Sequence, residues 1–210
     1  MPVSEFDLRV DAARKELKDP EQVTFQNGGS TSHPRFEVWH WGQSLCSQKV
    51  RTVLTEKEIE YRSNELSFRE FENYRPGYVR LRMFAAGPEN LKRLAVEHTM
   101  RTSVETEGFD ACVVPLLVDH EKRQAIVDSA KIISHIEREV PKAPLIPENP
   151  ELAAAVEKQV VINDSIPHPG ILYGFHKNDP RPEFQIHIMQ NIYDAKREAL
   201  EILIEQNKND

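Results

Sequence analysis

Cys46 is the residue around which chemistry can be built. It lies in Ser44-Leu45-Cys46-Ser47-Gln48-Lys49, after an apolar run of Phe36, Val38, Trp39 and Trp41. Gly42 breaks that run, and Val50, Val53 and Leu54 follow at helical spacing. The pattern predicts a strand, a turn, and a helix that starts between Ser44 and Ser47. The unpaired N–H groups and the dipole of a helix start stabilise negative charge. A thiol there carries more of its reactive thiolate form. Ser44, Ser47 and Lys49 are placed to add hydrogen bonds or positive charge. The plain alternative is that Cys46 is a small buried hydrophobe and Ser44 only caps the helix.

The elements that must position this turn follow in order. Residues 60–66 carry Tyr61 and Leu66 and predict a second strand. Strand, helix of about ten residues and strand imply a right-handed βαβ unit with parallel strands. Cys112-Val-Val-Pro-Leu-Leu-Val-Asp119 is an apolar strand with proline inside it. Proline donates nothing to a ladder. A cis Val114–Pro115 bond at a bend is the expectation, with the Val114 backbone left to pair with an extended ligand. A hairpin turn at 120–123 leads to a short strand, 124–127. Asp128-Ser129 then opens a helix with Ile132, Ile133 and Ile136 on its apolar face. Asp and Ser there are caps by default. A helix start also suits an anionic ligand group, and Asp128 a ligand ammonium.

The remaining segments are less informative. Residues 1–35 hold a short charged helix near 7–17 and a linker by composition, Gln26-Asn-Gly-Gly-Ser-Thr-Ser-His-Pro34. A mobile or surface-lying arm is expected. Residues 67–111 form a long, mostly polar excursion. Between Tyr74 and Arg93, five cations (Arg75, Arg80, Arg82, Lys92, Arg93) face Glu89 alone. Phe68, Phe71, Tyr74, Tyr78, Leu81 and Phe84 are interleaved with them, and 88–97 looks helical. Such a segment suits an anionic aromatic ligand, or it is a solvated insertion with a few anchoring side chains. Pro141, Pro144, Pro147 and Pro150 mark a domain boundary, followed by a helix over 151–163, a loop and a long helix over 183–207.

The whole chain sets bounds. It has 210 residues and a net charge of −7, which disfavours nucleic acid and anionic membranes as partners. No apolar run is long enough to span a membrane, and the charged start has no secretory core. Two cysteines, Cys46 and Cys112, make no disulfide framework, so a reducing cytoplasm is expected. Cys112 at the start of a buried strand reads as packing rather than as a second redox thiol. The eight histidines show no metal spacing, and no metal is expected.

Ser44-Leu-Cys46-Ser47, Val114-Pro115 and Asp128-Ser129, in that order, resemble the thioredoxin-like N-terminal domain of glutathione S-transferases. The resemblance covers about 36–140. It implies an α/β thioredoxin-like domain followed by the family's all-α C-terminal domain, here short or truncated. Residues 1–35 would be an N-terminal extension, 67–111 an insertion, 141–150 a linker and 151–210 the helical domain. Tyr78-Val-Arg-Leu-Arg-Met-Phe-Ala-Ala-Gly87 and Glu107-Gly-Phe-Asp-Ala-Cys-Val-Val-Pro115 are most similar to the bacterial glutathione-dependent reductive dehalogenases of chlorinated hydroquinones. The resemblance implies that Cys46 is the redox nucleophile and that glutathione is the co-substrate. Ser44 would hydrogen-bond the glutathione sulfur or the thiolate. Val114 would pair with the cysteinyl backbone, beside Pro115 and Lys49. Asp128 and Ser129 would hold the γ-glutamyl end. A small aromatic substrate and a homodimer are also implied. The family's helical domain is usually longer than the 60 residues after Pro150. A fragment, or a chain lacking part of the aromatic pocket's wall, is therefore expected.

Two other functions use the same residues. An isomerase of the maleylacetoacetate type or a thiol transferase keeps the fold and changes the reaction, with Arg75, Arg80 and Arg82 suiting a dicarboxylate. A non-catalytic glutathione-transferase-like binding module keeps the fold alone.

Overall fold

The computed structural model describes residues 4–17, 19–28, 33–91 and 110–165, and the helical positions 190, 191, 194, 197 and 201. Two short apolar runs supply the centre of the sheet. They are β2 (Phe36–His40), buried at all five positions, and β4 (Leu116–Asp119), buried at all four. Strands buried on both faces need helices on both sides. The other strands are β1 (Val23–Gln26), β3 (Tyr61–Glu65) and β5 (Gln124–Val127). The sheet order is β1-β3-β2-β4-β5, with β2 and β3 parallel and the other pairs antiparallel. The expected parallel βαβ unit and the 120–123 hairpin are both present.

Helices α1 (Glu5–Lys15) and α3 (Pro76–Leu91) cover one face, and α2 (Leu45–Glu56) and α4 (Ser129–Glu139) cover the other. Side chains alternate along each strand. Trp39, Leu116 and Val118 join Phe6, Val10, Tyr78 and Leu81 in one core. Phe36, Val38 and Leu117 join Val50, Leu54, Ile132 and Ile136 in the other. This is the expected thioredoxin-like α/β arrangement. A further helix, α5 (Pro150–Ser165), follows the proline-rich stretch. The long helix expected over 183–207 lies mostly outside the described residues. None of the helices among the described residues is long and apolar enough to cross a membrane.

Two expectations need correction. The described residues before Phe36 are not a loose arm, while the middle of the expected linker, 29–32, lies outside them. Helix α1 buries Phe6, Val10 and Ala13, and β1 pairs with β3 through four residues. The Arg14 guanidinium also reaches the fully buried Glu37 carboxylate, with Nε 3.1 Å from Oε1. Helix α1 comes so close to α3 that a Cβ on Gly77 would lie 2.8 Å from the Ala12 carbonyl oxygen. Nor is 67–111 simply a solvated insertion. Tyr78, Val79, Leu81 and Arg82 on α3 are buried. The helix breaks at Gly87, where φ is 72°, and resumes at Pro88, the start read from the sequence; its part beyond Leu91 lies outside the described residues. Proline at a first helical position needs no N–H donor, which suits the restart.

Two buried carboxylates tie the faces to the sheet. Glu37, on the α1 side, accepts from Arg14, from Asn64 at 2.7 Å and from His120 at 3.0 Å. Asp119, on the α4 side, accepts from Arg35 at 3.0 and 2.8 Å and meets His135 Nε2 at 2.8 Å. The buried Lys57 ammonium donates to the carbonyls of Val140, Lys142 and Ala143, fixing the start of the proline-rich stretch.

Candidate functional site

The turn after β2 is built by its own polar side chains. Ser44 caps α2, its hydroxyl oxygen accepting from the Ser47 N–H at 3.3 Å. Ser47 is fully buried, and its hydroxyl accepts from the Trp41 N–H at 3.4 Å. Glu65 accepts from the Gly42 N–H at 3.1 Å, and Gln48 donates to the Gly42 carbonyl at 2.9 Å. Ser47 therefore faces the scaffold, not a ligand. Capping uses acceptor capacity of Ser44 and not its O–H donor.

Cys46 is the second residue of α2, half-buried and outside any disulfide. No acidic side chain occupies the first turn of α2 to oppose the helix dipole. The helix-start position inferred from sequence is present, and the thiol there is partly exposed. Lys49 follows in the next turn and is half-buried.

Strand register brings the other candidates to the same end of the sheet. Trp39 on β2 pairs with Leu116 on β4, and Leu116 pairs with Val127 on β5. The chain leaves β2 toward Cys46, enters β4 from Val114 and Pro115, and leaves β5 into Asp128. Adjacent strands are about 5 Å apart, so the three segments are neighbours along one edge. The Val114–Pro115 bond is cis, as expected. Neither the N–H nor the carbonyl of Val114 has a hydrogen-bond partner among the described residues.

Asp128 caps α4, its carboxylate accepting from the Ala130 N–H at 2.9 Å. Its φ is 77°, a region that residues with a Cβ rarely adopt. Such strained residues cluster at ligand sites. Ser129 is the first residue of α4 and is half-buried. A cavity of about 390 Å³ opens beside Asp128, lined also by Lys131, Phe84 and the β5 strand.

Of the basic residues read from 67–111, Arg75 and Arg82 are engaged elsewhere, and Lys92 and Arg93 lie outside the described residues. Arg82 is buried and bound to backbone carbonyls. Arg75 pairs with Glu72 at 2.6 Å. Sequence reasoning missed a different feature beside the turn, the Trp41–Phe68 pair, stacked at 4.4 Å with planes 8° apart. Both aromatics follow strand ends, which is the signal that was available.

His40, the last residue of β2, is buried with Nε2 2.6 Å from the Ser63 hydroxyl. Burial lowers it from 6.5 to about 4, and the nearby Arg51 charge adds to that. Between those values the unfolded chain takes up a proton that the folded chain does not. Stability therefore falls as pH drops from 6.5 to 4, by up to about 3 kcal/mol. Urea midpoints at steps across this range should show the fall, and His40→Gln should flatten it.

Residues 43–139 match the family model described as glutathione S-transferase, N-terminal domain. The 2,5-dichlorohydroquinone reductive dechlorinases of two strains of Sphingobium indicum are 37% identical to the chain over 201 residues. That similarity takes in 89% of this chain and 57% of the relatives, so the chain spans little more than half their length. A glutathione S-transferase from the Antarctic clam Laternula elliptica shares the fold, with a TM-score of 0.50 at 19% identity over 83% of this chain and 68% of that one. Residues 43–139, which carry α2, β3, α3, β4, β5 and α4, thus correspond to a glutathione S-transferase N-terminal domain.

Proposed function

We propose that the chain is the glutathione-binding and thiol-bearing part of a reductive dehalogenase of chlorinated hydroquinones. The observation that carries the reading is the convergence of the Cys46 turn, Val114 and Asp128 at one end of the sheet. The dechlorinase relatives supply the substrate class. Residues 36–140 would be the glutathione-binding domain, 141–150 the linker, and 151 onward the start of a helical domain. Cytoplasmic location and a homodimer belong to the same reading.

In this mechanism Val114 pairs its N–H and carbonyl with the cysteinyl unit of glutathione, beside Pro115. Asp128 accepts from the γ-glutamyl ammonium, and Ser129 binds the carboxylate at the start of α4. Ser44 donates its hydroxyl hydrogen to sulfur, and Lys49 adds positive charge. A first glutathione thiolate displaces chloride from the ring and leaves an aryl thioether. The Cys46 thiolate then attacks the glutathione sulfur. The carbon–sulfur bond breaks, its electron pair stays with the ring, and the ring carbon takes a proton. Cys46 is left as a mixed disulfide with glutathione. A second glutathione attacks that disulfide, giving glutathione disulfide and the free Cys46 thiolate. The ring gains two electrons, which two thiols supply.

Incubating the chain with a chlorinated hydroquinone and excess glutathione tests this. One chloride and one glutathione disulfide per substrate are expected. Glutathione binding without chloride release would shift the assignment to the isomerase or to a binding module.

A further inference from the structure

The loop 110–115 is held by side chains from outside the sheet. It precedes β4, so no strand ladder takes up its carbonyls, yet Cys112 and Pro115 within it are buried. Buried carbonyls need donors. Asn73 Nδ2 donates to the Cys112 carbonyl at 2.7 Å. Tyr78 Oη donates to the Val113 carbonyl at 2.7 Å. Arg82 forks, with Nη1 2.8 Å from the Pro115 carbonyl and Nη2 3.1 Å from that of Asp110. Tyr78 and Arg82 are four residues apart and so share one face of α3. Burial holds the Tyr78 hydroxyl up at about 12 against the opposing Arg82 charge, so it remains a donor at neutral pH.

The pattern of what is held is informative. The carbonyls on either side of Val114 are both fixed, while its own N–H and carbonyl have no partner among the described residues. An extended ligand backbone can pair with Val114 only if that peptide presents its edge in a fixed direction. We infer that Asn73, Tyr78 and Arg82 are positioning residues that preset the Val114 backbone for glutathione. This rests on the proposed glutathione site. It gives the interleaved aromatic and basic residues of this segment a role that touches no ligand: they set the direction of the peptide edge that reads it. The segment between Asn73 and Arg82 then acts on affinity for the peptide-like co-substrate, not on the aromatic one.

The test compares the full chain with Tyr78→Phe, Asn73→Ala and Val10→Ala. Val10→Ala removes buried volume from the same core but none of the hydrogen bonds to the loop, so it controls for lost stability. Two readouts are taken well below the unfolding temperature: the glutathione dissociation constant by calorimetry, and amide exchange across 112–114. Tyr78→Phe and Asn73→Ala should each weaken glutathione about tenfold, the scale of one lost hydrogen bond, and should speed amide exchange in the loop. Val10→Ala should do neither. If wild type binds glutathione and Tyr78→Phe binds it equally, the positioning role is overturned and the glutathione site stands. Equal weakening in Val10→Ala would reduce the effect to general stability and overturn it too. If wild type itself binds no glutathione, the glutathione site fails, and the positioning role with it.

Discussion

Cys46→Ser should keep glutathione binding and lose turnover by at least about a thousandfold. A serine hydroxyl fits the same half-buried place at the second position of α2. It leaves the Ser44 cap, the Val114 backbone and the Asp128 carboxylate as they are. It does not ionise at neutral pH, and it cannot form a disulfide. In the proposed sequence, chloride displacement by the first glutathione does not use Cys46, so the mutant should accumulate the glutathionyl-aromatic thioether. Product analysis by liquid chromatography after one enzyme equivalent of substrate checks this. Complete reduction by the mutant would remove Cys46 from the mechanism.

Glu37→Gln should destabilise the chain by about 3 kcal/mol at pH 7, the scale of breaking a buried ion pair from one side. The amide keeps the shape but leaves Arg14 and Arg62 without their buried anion. Burial pushes the Glu37 carboxyl up, but hydrogen bonds from His120 and Arg14 and the charges of Arg14 and Arg62 outweigh it. They hold the group at about 2, against an ordinary 4.5. The sign follows from proton uptake: the unfolded chain binds the proton first as pH falls. The contribution is therefore complete above 4.5 and is lost as pH falls from there through about 2. Asp119 behaves alike from 3.8 to about 2, because Arg35 and His135 outweigh its burial. Urea unfolding between pH 7 and 2 should show wild type losing stability steeply below 4.5. Glu37→Gln should start lower and fall less over that window. Equal slopes would mean that Glu37 is not held as an anion.

What the sequence made legible was the path of the chain past the site. The apolar run ending at His40, the Ser44 cap and the Asp128-Ser129 helix start each have local causes, so β2, α2, β5 and α4 fall where their residues place them. The candidate residues were legible for the same reason, since each sits at an element's end. Three things were not. Helix α1 hides its buried face, Phe6, Val10 and Ala13, among charged residues, and β1 is four residues whose only reason to be a strand is the β3 edge beside it. Arg82 looks like a surface charge in sequence, because composition does not reveal that its guanidinium turns inward onto carbonyls. Glu37 sits in an apolar strand, and its partners come from α1, β3 and the 120–123 turn, all distant in sequence.

The step assigned to Cys46 can be isolated in a single turnover. The chain is mixed with one equivalent of a glutathionyl-hydroquinone thioether and no free glutathione, then mapped by mass spectrometry under non-reducing, acid-quenched conditions. One released hydroquinone per chain and one glutathionyl group on the peptide that holds Cys46 are expected. Intact thioether with an unmodified Cys46, or the glutathionyl group on Cys112 instead, would contradict that assignment.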